Sequence, residues 1–215
     1  TWNTRVLREH GLTNVDKFIQ GVDLNLFRPI PRGSGERFIV YSGGKLEHRK
    51  GQDIVVAAFR EFVKTHPDAV LATTWHNPWQ ESIMGITLGG HVANVPRIDD
   101  AGNCDILRWI AENGVPEKNI HDFGMVSNHL MPEVFAQADV AVFPNRCEGG
   151  TNLVAMEAMA SGVPCILSAN TGHLDLIEDD NCYPITNQAE ISSLPYAKDW
   201  GESSVDEIVE LLCRV

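Results

Sequence analysis

The sequence predicts an α/β fold, a parallel sheet covered by helices on both faces in a three-layer sandwich. Three observations carry this. Short, almost wholly apolar runs recur at 38–41, 69–73, 139–143 and 164–168, the pattern of strands buried on both sides. Stretches with apolar residues at helical spacing lie between them. Turn formers mark the changes, so strands and helices alternate along the chain as they do in sheets built from parallel crossovers.

Residues 1–37 are mixed and rich in turn formers, ending in Pro29, Pro31, Gly33 and Gly35. Strand 38–41 follows. Val55, Phe59 and Phe62 mark a helix over 53–66, stopped by Pro67. After strand 69–73, Ile106, Leu107 and Ile110 place a helix over 103–113, ended by Gly114 and Pro116. Pro132 suits the first turn of a helix over 131–137. Strand 139–143 leads into helix 152–160 and then strand 164–168. Ser204 and Glu207 have the spacing of a capping box, opening a last helix with Ile208, Leu211 and Leu212. Ligands of such sheets bind beyond the carboxyl ends of the strands.

At 215 residues the chain has room for one domain spanning 1–215. No apolar run approaches the ~18–20 residues of a membrane span, and no signal peptide is visible. The chain opens on Thr1 without an initiator Met, and is expected to be part of something longer. A net charge of −12 with acidic residues spread along the chain argues against nucleic acid or a membrane surface as a direct partner. The odd number of cysteines, without CxxC pairs, reads as reduced thiols in a cytoplasmic protein. No His/Cys cluster has the spacing of a metal site.

Two segments concentrate the chemistry. The first, Ser42-Gly43-Gly44-Lys45 through Lys50-Gly51, follows the first strand. Gly43 and Gly44 allow close approach of the backbone to a ligand, and Lys45 and Lys50 bracket a place for an anion. The alternative is a glycine turn with solvated lysines. Neither the P-loop nor the G-x-G-x-x-G spacing is present.

The second segment runs over 144–164. Gly149 and Gly150 form a turn, and Thr151 and Asn152 stand at a helix N-terminus that suits a phosphate or a sugar hydroxyl. Glu148 precedes this helix. Glu157 lies within it among Leu153, Val154, Ala155, Met156, Ala158 and Met159, and so reads as a buried carboxylate. Such a charge needs a hydrogen-bonding partner. A vicinal diol would serve; the alternative is a core Lys or Arg, with Glu148 as the helix cap. Weaker candidates are 75–79, read as packing, the isolated His121, His129 and His173, and the 169–173 loop as a ligand-facing segment.

Together these residues resemble the C-terminal, donor-binding domain of the retaining group 1 glycosyltransferases, the Rossmann-like half of a GT-B fold. The resemblance rests on Gln20-Gly21-Val22-Asp23 with Phe27-Arg28-Pro29, on Gly44-Lys45-Leu46-Glu47-His48-Arg49-Lys50-Gly51, and on Glu148 with Glu157-Ala158-Met159-Ala160-Ser161-Gly162-Val163-Pro164. It runs in order over about 20–185. It implies that Lys45 and Lys50 bind the donor diphosphate, that Glu157 binds the nucleotide ribose, and that Glu148 contacts the transferred sugar. The glycines would offer N–H groups to sugar and phosphate.

The sequence departs from the family pattern at two places. Lys45 stands where Arg is common, and eight residues rather than seven separate Glu148 from Glu157. Either a bulge at 149–151 absorbs the extra residue or Gly149 takes the usual Glu position; the two glycines favour the bulge. The resemblance further implies a nucleotide-sugar donor, no metal cofactor, and an N-terminal acceptor-binding domain outside this chain, without which transfer is not expected. A nucleotide-sugar epimerase and a non-catalytic sugar-nucleotide binding domain are the alternatives.

Overall fold

Apolar residues alternate along the strands and supply two cores at once. The computed structural model describes residues 1–31, 35, 37–191, 194 and 197–215; Gly33, of the turn-rich stretch, lies outside them. In chain order the elements are α1 (Trp2–Glu9), β1 (Ile39–Lys45), α2 (Gln52–Phe62), β2 (Val70–His76), α3 (Gln80–Ile83), α4 (Ile106–Glu112) and β3 (Ile120–Asp122). Then come α5 (Met131–Phe135), β4 (Val140–Phe143), α6 (Leu153–Ala160), β5 (Cys165–Ser168), β6 (Tyr183–Ile185), β7 (Gln188–Glu190), β8 (Gly201–Ser203) and α7 (Val205–Leu212).

Strands β1 to β6 form one sheet in the order β3-β2-β1-β4-β5-β6, every pair parallel. This is the doubly wound Rossmann-type order. Val40, Val140, Val142 and Ile166 face α2, α4 and α7 in one core. Their neighbours Tyr41, Ala141, Phe143, Cys165 and Leu167 face α5 and α6 in the other. The period-2 geometry of a strand thus assigns alternate residues to opposite layers. The chain order reverses between β1 and β4, which opens a crevice at their carboxyl ends.

Several boundaries differ from the sequence reading. Strand β1 continues through Gly43 and Gly44 to Lys45, pairing with Thr74, Trp75 and His76 of a likewise longer β2. The glycines therefore end a strand instead of starting a loop. Helix α2 stops at Phe62, and α4 starts at Ile106 behind the N-cap Asp105. Helix α1 and the three-residue strands β3, β6, β7 and β8 were not legible as patterns. Ser204 caps the backbone N–H of Glu207 at 3.3 Å as expected. The Glu207 carboxylate does not complete the box; it accepts from the backbone N–H groups of Thr186 and Asn187 and fixes the chain beyond β6.

The largest correction concerns α6. Only Ala155 and Ala158 are buried along it, and Glu157 is half-buried. An apolar helix does not here mean a helix enclosed all round.

Candidate functional site

The crevice between β1 and β4 is floored by Tyr41, whose hydroxyl shares a 2.6 Å hydrogen bond with Thr74 Oγ1 on β2. A Cβ at Gly43 would overlap both of these groups, so only glycine fits beside them. Tyr41, Gly44, Thr74, His76, Asn128 and Glu157 line a cavity of about 160 Å³ here. Asn128 Nδ2 donates to Glu157 Oε1 at 3.1 Å. Burial pushes the Glu157 carboxyl above its ordinary value, and the Asn128 hydrogen bond only partly opposes this. No Lys or Arg is bonded to Glu157 among the described contacts, in contrast to the core-pairing alternative.

Glu148 is held quite differently. It is 4% exposed, and its Oε1 accepts from Lys50 Nζ, from an Arg49 guanidinium N–H at 2.9 Å and from Asn145 Nδ2 at 3.1 Å. Arg49 also donates to Glu47 Oε1 at 2.6 Å and to the Cys147 carbonyl at 2.9 Å. Burial alone would raise the Glu148 carboxyl, but Lys50 and Arg49 outweigh it and hold it below the ordinary range. Burial lowers Lys50 in turn, with Glu148 opposing. Glu148 does not cap α6. Asn152 does, accepting from the Ala155 N–H, and the turn 149–151 between them is irregular. Glu148, at the start of this turn, meets Lys50 of the loop after β1.

The 169–173 loop serves as scaffold to this turn. Thr171 Oγ1 accepts the Glu148 N–H at 2.7 Å, and the Gly172 N–H donates to the Glu148 carbonyl at 2.9 Å. A Cβ on Gly172 would overlap the Gly150 carbonyl, so this close approach needs glycine. His173, fully buried, meets Asn152 Nδ2 through Nε2 at 3.1 Å and the Ser168 carbonyl through Nδ1 at 3.2 Å. Because the Asn152 amide donates, Nε2 accepts and Nδ1 carries the proton, which identifies a neutral ring. Burial lowers its pKa to about 4, consistent with that.

Nine of the ten candidate residues stand at the carboxyl end of β1 or in the loops that follow β1 and β4; Glu157 lies within α6. Lys50 and Glu148 meet, and Gly44 and Glu157 share a cavity. Lys45 is exposed and lies 4.2 Å from the centre of the Trp79 ring. Gly44 has φ +115°, and the Gly149 carbonyl accepts from Asn3 Nδ2 of α1. In 75–79 the packing assignment holds for Trp75, edge-on to Trp109 in the core, but Trp79 is 56% exposed. His121 and His129 are on the surface.

Sequence reasoning missed Arg49, Asn145, Asn128 and Thr171. The Arg49-Lys50 pair was a visible signal, and Asn145 stands three residues before Glu148; Asn128 and Thr171 come from distant segments and carried none. Also missed was a buried ion cluster in which Arg146 bonds Asp53 and Glu202. Among the described residues no His/Cys/Asp/Glu group could hold a metal, all five cysteines are free, and no helix is long and apolar enough to cross a membrane.

Fold and crevice define the class of protein, a Rossmann-like α/β domain with a ligand cavity at its topological switch point. The model of the family described as Glycosyl transferases group 1 matches residues 36–212, and the chain belongs to that family. It is 26% identical over 192 residues to a GDP-mannose-dependent alpha-(1-6)-phosphatidylinositol monomannoside mannosyltransferase of Mycolicibacterium smegmatis, covering 82% of this chain and 44% of that protein. To a D-inositol 3-phosphate glycosyltransferase of Segniliparus rotundus it is 27% identical over 196 residues, covering 84% of this chain and 39% of the relative. The chain thus spans less than half the length of these curated relatives.

Among solved structures, the C-terminal domain of a group 1 family glycosyl transferase (LpcC) from Francisella tularensis matches with a TM-score of 0.60 at 18% identity, covering 90% of this chain and 87% of that one. Anabaena HepE in complex with UDP and glucose matches with a TM-score of 0.68 at 17% identity, covering 99% of this chain and 50% of that one. The fold is therefore that of the C-terminal, Rossmann-like half of a GT-B glycosyltransferase.

Proposed function

We propose that this domain binds the donor of a sugar transfer, a nucleoside-diphosphate sugar, in the crevice between β1 and β4. The observation that carries the reading is Glu157, a half-buried carboxylate with a raised pKa and one amide partner, facing the cavity. A ribose diol offers the two O–H donors that this carboxylate lacks, and desolvation makes such charge-assisted bonds strong. Lys50 Nζ has three N–H donors and spends one on Glu148, so two remain for phosphate oxygens. Lys45 reaches the same anion by leaving the Trp79 ring. The names of the relatives support the donor class: one is GDP-mannose-dependent, and HepE was solved with UDP-glucose.

In the reaction of the whole protein the leaving diphosphate gathers negative charge in the transition state. Lys45, Lys50, the backbone N–H groups of the Gly149-Gly150-Thr151-Asn152 turn and the α6 N-terminus behind it are set to stabilise it, and no metal is needed for that step. Retention at the anomeric carbon, an acceptor-binding N-terminal domain, little transfer by this chain alone and a cytoplasmic setting complete the proposal. Titration calorimetry with GDP and UDP tests it. Binding that weakens in Glu157→Ala supports the donor site; no heat from either nucleotide at millimolar concentration overturns it.

A further inference from the structure

Arg146 is 0% exposed and so is its partner Asp53. All five of its side-chain N–H groups are used. Two form a fork on Asp53, at 2.8 and 2.7 Å. Two more meet the Glu202 carboxylate at 2.6 and 2.7 Å, and one bond of 2.6 Å goes to the His48 carbonyl. The backbone adds two links. The Arg146 N–H donates to the Arg49 carbonyl at 2.8 Å, and the Gly201 N–H donates to the Arg146 carbonyl at 3.0 Å. One side chain thus ties together the start of α2, the His48–Lys50 turn, the loop after β4 and strand β8. Burial would raise the Glu202 carboxyl, yet its hydrogen bonds from His91 and Arg146 hold it at about 2.

We propose that Arg146 is the positioning residue of the crevice: its guanidinium clamps the Lys50-bearing turn to the loop carrying Glu148, and so sets Lys50 for a diphosphate. This rests on the reading of Lys50 given under Proposed function. Lys50 and Glu148 are the two sides of one contact. Arg146 holds the first side through the His48 and Arg49 carbonyls and stands two positions before the second. Apolar side chains of equal volume would stabilise such a spot as well as buried ions do. What the ion cluster adds is a planar, fully occupied fork that fixes four segments in one register. A lysine, a single point charge, cannot reproduce it.

The test compares Arg146→Lys and Glu202→Gln with Asn119→Ala. Asn119 bonds the Pro67 and Ala69 carbonyls at the opposite end of the sheet, so its variant is a control for general loosening. Acylation of Lys50 by an amine-reactive ester is followed by peptide mass spectrometry, beside the affinities for a nucleoside diphosphate and its nucleoside. Glu202→Gln leaves the Asp53 fork in place and reports even where Arg146→Lys does not fold. The clamp predicts that Lys50 reacts about tenfold faster in Glu202→Gln, as expected for a local opening. Diphosphate affinity should fall by a similar factor with the nucleoside unaffected, and Asn119→Ala should change neither. Unchanged Lys50 reactivity in the folded clamp variants, or an equal rise in Asn119→Ala, overturns it. If the wild-type chain binds no nucleotide, the donor reading fails, while Lys50 reactivity alone still decides the clamp.

Discussion

Glu148 and Glu157 belong to one sequence motif and live under opposite conditions. Glu148 is enclosed by Lys50, Arg49 and Asn145 and is held ionised. Glu157 stands at a cavity wall with Asn128 as its hydrogen-bond partner, and burial makes ionisation harder. The first carboxylate already has its counter-charges, so its removal is felt by the fold. The second has unused acceptor capacity, so its removal is felt by a ligand. A carboxylate becomes a binding group when the protein leaves its lone pairs unspent.

That contrast breaks most sharply at Glu148. Glu148→Ala leaves Lys50 and Arg49 without their shared partner in a largely buried place, and about 3–5 kcal/mol of stability should be lost. Chemical denaturation checks this; a loss no larger than that of an exposed salt bridge would show that Glu148 is not the knot described.

The scaffold below Glu148 gives a pH-dependent test of comparable size. His173 titrates at about 4 in the folded chain against an ordinary 6.5. The unfolded chain therefore takes up a proton first as pH falls. The stabilisation is whole above 6.5 and is lost progressively between 6.5 and about 4, by on the order of 3 kcal/mol. His173→Gln should flatten that part of a stability–pH curve.

Glu157→Gln should leave stability nearly unchanged and weaken nucleoside diphosphate binding by about 10–100-fold, the worth of one or two charge-assisted hydrogen bonds. Because its carboxyl is raised, wild-type affinity should climb as pH rises through that value, and the variant should lose the climb. The smallest effect is expected at Lys45, exposed and resting on Trp79. Lys45→Ala should cost about 1 kcal/mol or less in diphosphate affinity and nothing measurable in stability. Calorimetry on the two variants separates these outcomes.

Long periodic elements were readable because burial dictates their pattern. The runs that became β1, β2, β4 and β5 are apolar on both faces, and Val55, Phe59 and Phe62 keep helical spacing. Strands β3, β6, β7 and β8 are three residues each, too short to display a period, and their pairing partners are remote. The site was legible where chemistry is local: Gly43, Gly44, Lys45, Lys50, Glu148 and Glu157 are compact in sequence. It was illegible where the partner is tertiary. Nothing near Glu157 announces Asn128, and an Asp in the first turn of an apolar helix, Asp53, does not reveal Arg146. Glu157 is less buried than its apolar neighbours in sequence suggest, because α6 buries only Ala155 and Ala158.

The most direct measurement is a two-dimensional NMR titration of the chain with GDP and UDP, reading backbone amides. Binding between β1 and β4 predicts shifts concentrated at 43–50, 126–128 and 148–157, while a separate groove of about 1040 Å³ beside β6 and α7, lined by Glu178, Asp179, Asp180 and Glu207, stays unmoved. Shifts confined to that groove, or absent from residues flanking Glu157 while the nucleotide binds, would contradict the donor site described.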